Sequence, residues 1–180
     1  MKRIAVAALA AIVLAGACGK KTDETAANIN AANKVSVRPV HLYCESPDML
    51  LGAETRNIAL PESPAAAMPM VVRELMKGPS KPPLGRVFPA DTVVRGTYLL
   101  PGGTVIVDLG GNTLTQGWGT GSHDELMSAY ALVQTLTANF ADARRVRIVV
   151  NGTPAETLAG HVSLARSLTP RAAILDPRFR

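Results

Sequence analysis

The chain has 180 residues, 19 Lys and Arg against 14 Asp and Glu, a formal net charge of +5 at pH 7, and only two cysteines. Two cysteines cannot frame a disulfide-stapled fold or a thiolate metal cage, and a charge this mild and scattered excludes a dedicated nucleic-acid binder. Without Lys2 and Arg3, which belong to the leader described next, the charge falls from +5 to +3.

Residues 1–17 are expected to be a secretory signal peptide. Lys2 and Arg3 precede an apolar run from Ile4 to Leu14, and the small residues Ala15, Gly16 and Ala17 follow. The run is shorter than the ~20 residues a spanning helix needs. Cys18 in the next position resembles the lipidated first residue of a bacterial lipoprotein, although Leu14 stands one place earlier than the usual leucine. Ala15 and Ala17 also satisfy the small-x-small rule of ordinary signal peptidase, so both routes cut the same bond and export the chain. Residues 18–34, ending in "GKKTDETAANINAANK", then form a lipid anchor and flexible tether, because a small polar segment without apolar period cannot offset the entropy of ordering.

Residues 35–168 have the right length for one domain with a real core, leaving 169–180 as a C-terminal tail. "VRPVHLYC" alternates Val40, Leu42 and Cys44 against His41 and Tyr43, the pattern of a half-buried strand, and Cys44 reads as a small buried residue. A loop over 45–52 leads to a short extended piece, "ETRNIAL". "SPAAAMPMVVRELMKGP" predicts a helix opened by Ser63 and Pro64 and stopped by Lys77-Gly78-Pro79. Pro69 implies either a start near Met68 or a kink.

"DTVVRGTYLLPGGTVIVDLG" predicts a hairpin turning at Pro101-Gly102-Gly103, with Val105, Val107 and Leu109 on one face of the return strand and Ile106 and Asp108 on the other. A Gly- and Thr-rich loop over 110–121 leads to the long helix "SHDELMSAYALVQTLTANF". Ser122 and Glu125 have the spacing of a capping box, and Leu126, Ala129, Tyr130, Val133, Leu136 and Phe140 form the apolar stripe. A strand over Val146–Val150 ends at Asn151-Gly152, a hairpin-turn pair, before a second short extended segment and Gly160-His161. The elements together give an α+β class.

Candidate chemistry is sparse. His41, His123 and His161 form no H-x-x-x-H or H-E-x-x-H pair, so no metal site is expected. Asp108 has no second carboxylate at a fixed spacing, and there is no G-x-S-x-G elbow and no phosphate loop. Trp118 is either a sugar platform in its glycine-rich loop or a tryptophan packed over the sheet edge. His161 is read as bonding loop backbone beside the last strands, against a ligand or pH-sensing role.

The order of "VHLYC", "ELMKGP", the 91–110 hairpin, "GSHDELMSAYALVQTLTANF", "VRIVVNG" and "LAGHVSL" resembles the GerMN domain, named after a spore germination and sporulation lipoprotein. The resemblance covers about residues 38–168. Gly110 stands where the family commonly has a serine, and no internal repeat marks a second copy. The resemblance implies a small mixed or antiparallel sheet with two helices packed on one side. It also implies a non-catalytic, lipid-anchored envelope binding or assembly module, without cofactor, whose partner is an envelope protein or peptidoglycan, with a homo-oligomer expected by analogy with ring-building domains. The contrasting expectation is a peptidoglycan-acting enzyme or accessory factor in which Asp108, His123 and His161 converge.

Overall fold

The computed structural model describes residues 34–116 and 121–179, so Cys18 and Trp118 lie outside the described residues. Strands β1 (Val35–Glu45) and β2 (Leu51–Pro61) form an antiparallel hairpin, registered from Val35 opposite Pro61 to Glu45 opposite Leu51. Val40, Leu42 and Cys44 are buried on its inner face, as alternation requires, while His41 faces out. Burial pushes the Cys44 thiol up to about 11, leaving it protonated and inert. The second strand begins three residues before "ETRNIAL". The loop shortens because the Ser46 N–H donates to the Leu50 carbonyl at 2.7 Å.

Helix α1 (Pro64–Met76) starts at its proline and runs through Pro69, forgoing the bond that residue 69 would donate to the Ala65 carbonyl. It buries Ala67, Met68, Val71, Val72 and Leu75. It ends at Lys77, and Gly78 takes the left-handed φ of 77°. Arg56 of β2 donates to the Glu74 and Gly78 carbonyls, and the Ser80 N–H donates to Glu54 at 2.8 Å. The Lys-Gly-Pro stop is thus fastened to the hairpin.

The second sheet has the order β3-β4-β5-β6, built from Val93–Leu100, Thr104–Gly110, Arg145–Val150 and Thr153–Pro154. Between β3 and β4 the chain turns through Gly102 and Gly103, at φ 83° and 80°. Val105, Val107 and Leu109 are buried as expected. β4 and β5 run parallel, Val105 opposite Val146, so the segment between them is a crossover. It contains a short helix α2 (Asn112–Thr115) and the long helix α3 (Ser122–Asn139). Asn151 and Gly152 both adopt positive φ, 51° and 76°, as a two-residue hairpin turn demands.

The α+β class holds, with the strands divided between two sheets and each of the two main helices touching both. The edges explain the division. On β1, the outward Tyr43 N–H donates to Thr135 Oγ1 at 3.1 Å, and the His41 N–H to Asn139 Oδ1 at 2.9 Å. Asn139 returns a bond to the His41 carbonyl at 2.7 Å. Helix side chains therefore take the places of a neighbouring strand. On β2, the C-terminal residues do the same: the Asp176 N–H donates to the Leu51 carbonyl at 2.8 Å, and the Ala53 N–H to the Phe179 carbonyl at 2.9 Å. Gly52 permits that approach, because a Cβ there would lie 2.8 Å from Phe179 Cβ.

α3 occupies the centre. Ala129, Val133, Leu136 and Phe140 of its expected stripe are buried, Leu126 and Tyr130 only partly so. Met127, Ala131 and Leu132 are buried as well, because α1 and both sheets surround the helix. A one-sided stripe underestimates a helix enclosed in this way.

Candidate functional site

The loop after β6 is organised by one side chain. Glu125, in the first turn of α3, is fully buried. Its Oε1 accepts the N–H groups of Leu158 and Ala159 at 2.6 and 3.0 Å, and its Oε2 accepts those of His161 and Val162 at 2.7 and 3.0 Å. The intervening Gly160, at φ 99°, donates instead to Thr157 Oγ1 at 2.9 Å and turns the two pairs of amides toward one carboxylate. Successive backbone N–H groups arranged this way make an anion nest, and here the anion is supplied by the chain itself. Burial pushes the Glu125 carboxyl upward, and the four amide bonds outweigh it, so the group sits below the usual carboxylate range.

The capping box expected at Ser122 and Glu125 does not form. Gly121 is the cap residue, no side chain caps the helix, and Glu125 points inward. A signal for this was present: Glu125 shares a helical face with Ala129, Leu132 and Leu136, and a carboxylate on a buried face needs dedicated donors.

His161 is architectural through its main chain. Its ring is half exposed, with Nδ1 3.5 Å from Glu125 Oε2, and does not bond loop backbone as expected from sequence. His161→Ala keeps the N–H that matters, so its unfolding free energy should fall by less than ~1 kcal/mol, the scale of an exposed ion pair. A loss above ~2 kcal/mol in urea denaturation would assign the imbalance to the imidazole.

Asp108 and His123 are engaged elsewhere. Asp108 Oδ1 accepts the Gly152 N–H at 2.9 Å, and its Oδ2 lies 3.5 Å from Arg95 Nε, so it braces the β5–β6 turn. His123 Nε2 lies 2.8 Å from Glu45 Oε1, joining the start of α3 to the end of β1. Asp108, His123 and His161 thus each face a different partner, and the convergence expected of an enzyme is not formed among them. Among the described residues no three His, Cys, Asp or Glu gather to hold a metal ion. Gly110 also has a local reason: a Cβ there would lie 2.8 Å from Asn151 Oδ1, so a serine requires Asn151 to move.

One surface feature was not legible. On the outer face of the β1–β2 hairpin, His41, Tyr43, Ala53, Ala172, Leu175 and Phe179 line a cavity of about 430 Å³. Half of its wall comes from the residues read as a tail. Val35 and Val37 continue the same face as exposed apolar side chains, 57% and 70% accessible.

Comparison with known proteins gives consistent results. A family model described as Germane, sporulation and spore germination, matches residues 41–156. Among solved structures, the first GerMN domain of the sporulation protein GerM from Bacillus subtilis superposes with a TM-score of 0.53 at 22% identity, covering 78% of this chain and 98% of that one. The tandem GerMN domains of the same protein give 0.56 at 22% identity, covering 74% of this chain and 46% of that one. A Clostridium perfringens chain described as a lipoprotein gives 0.53 at 14% identity, covering 75% and 87%. At these identities the structures establish a shared fold. No curated protein matches at the sequence level.

Proposed function

The chain belongs to the Germane family of sporulation and spore germination domains, and from that premise we propose that it is a non-catalytic, lipid-anchored binding or assembly module of the cell envelope. The observation that carries this reading is the use made of the polar groups. Asp108, His123 and Glu125, the best-placed acids and bases, brace a turn, a strand end and a loop. What remains for function among the described residues is surface, above all the outer face of the β1–β2 hairpin, with its exposed Val35 and Val37. Family membership says nothing about whether the organism forms spores.

No helix among the described residues is long and apolar enough to cross a membrane. Membrane attachment therefore rests, in this proposal, on Cys18 after cleavage behind Ala17. Cys18→Ser with the leader intact should move the protein from the membrane fraction to the soluble extract, read by immunoblotting of fractionated cells. Unchanged fractionation would remove the cysteine as anchor. In-cell crosslinking followed by pull-down through the folded domain should then recover a defined envelope protein or peptidoglycan fragment. Hydrolysis of purified peptidoglycan by the protein alone would overturn the non-catalytic reading.

A further inference from the structure

A cavity of about 360 Å³ lies where α1 ends against the start of β3, lined by Arg73, Met76, Lys77, Arg86, Thr92 and Val93 among others. Three of its lining residues are cationic and none is acidic. The charges are not all consumed by local structure. Arg86 donates to the Met76 and Lys77 carbonyls at 2.5 and 2.7 Å, and Lys77 pairs with Glu74. Those contacts satisfy the helix end, which carries only about half a negative charge. Glu74 is moreover shared with Arg56, 3.5 Å away. Arg73 makes no hydrogen bond or ion pair among the described residues, and it is exposed. A positive excess therefore remains around the cavity.

Thr92 contributes to the wall as a largely buried residue, 8% accessible, with its hydroxyl closed off from the cavity. Met76, Val93 and Val94 complete the wall with apolar surface.

We propose that this cavity is a binding site for a phosphate ester, held by Arg73, Lys77 and Arg86. A phosphate monoester carries about −1.5 to −2 charges on three acceptor oxygens, which matches several cations from separate segments better than a single carboxylate does. The apolar wall accepts whatever group the phosphate is attached to. The site is independent of the hairpin face and of the anchor, and it stands or falls apart from the envelope assignment.

The test titrates the full-length chain with inorganic pyrophosphate and, separately, with dihexanoyl phosphatidic acid below its micelle-forming concentration, following the Lys77, Thr92, Val93 and Val94 amides by NMR. Saturable shifts at these amides are expected. Shifts with both probes identify a free phosphate group as sufficient, and shifts with phosphatidic acid alone identify a lipid headgroup as the source. Arg86 variants risk the helix end, so the decisive substitution is Arg73→Glu, which touches no internal partner. It should leave the spectrum elsewhere unchanged and raise Kd about tenfold or more, the loss of one charge-assisted contact. The proposal is overturned if neither probe shifts these amides, if Arg73→Glu binds as the parent does, or if shifts are spread evenly over the cations of the whole surface.

Discussion

Glu125→Ala is expected to destabilise the fold by about 3–5 kcal/mol, the cost of removing one member of a buried charged network. Four backbone N–H groups, at Leu158, Ala159, His161 and Val162, lose their acceptor at once, and they have no other acceptor among the described residues. Glu125→Gln is not a benign replacement. The amide keeps an oxygen for one pair of donors and presents an NH₂ to the other pair, donor against donor. Urea denaturation should therefore rank the parent well above Gln, with Gln above or equal to Ala. Parental stability of the Gln variant would mean that the loop does not depend on the carboxylate.

The same group predicts a pH dependence whose sign follows from its lowered folded-state pKa. Stability from Glu125 is fully present above the unfolded carboxyl value, about 4.3, and is lost as pH falls through the lower folded value. Other lowered carboxylates, Glu54 and Asp176 among them, contribute to acid unfolding too. The quantity to measure is therefore the difference between parent and Glu125→Gln, which should shrink as pH falls below about 4. A difference constant from neutral pH down to about 2 would contradict a lowered pKa.

The second large effect belongs to Leu136. The residue is fully buried in the helix that both sheets enclose, so Leu136→Ala should cost about 2–5 kcal/mol through lost burial and the cavity left behind. For a domain of this size that corresponds to a fall in Tm of roughly 5–15 °C. A melting temperature unchanged within error would place Leu136 outside the core.

Which parts of this were legible in the sequence depends on the range over which the deciding interaction acts. The 91–110 hairpin, the Asn151-Gly152 turn and the stop at Lys77-Gly78-Pro79 were legible because adjacent residues settle them: positive φ falls to glycine and asparagine, and alternation places Val105, Val107 and Leu109 inside. The division into two sheets was not, since it rests on Thr135 and Asn139 meeting β1 and on 175–179 meeting β2, contacts without sequence periodicity. Glu125 was misassigned for a related reason. Spacing from Ser122 fits a cap, and only the position of a loop over 30 residues later reveals a different set of donors. His161 was singled out as a side chain, whereas the chemistry at that position belongs to its amide.

The sealing of β1 by α3 also bears on the order in which the molecule is made. The partners of His41 and Tyr43 lie 98 and 92 residues further along the chain. During synthesis the N-terminal hairpin emerges long before the helix that closes its edge. Until residue 139 is available, β1 presents unsatisfied N–H and C=O groups of the kind that recruit stray strands. Such distant closure is slow to form. The hairpin is consequently translated ahead of the other described elements and keeps an unsealed edge until residue 139 is made, an interval in which that edge is open to misassembly.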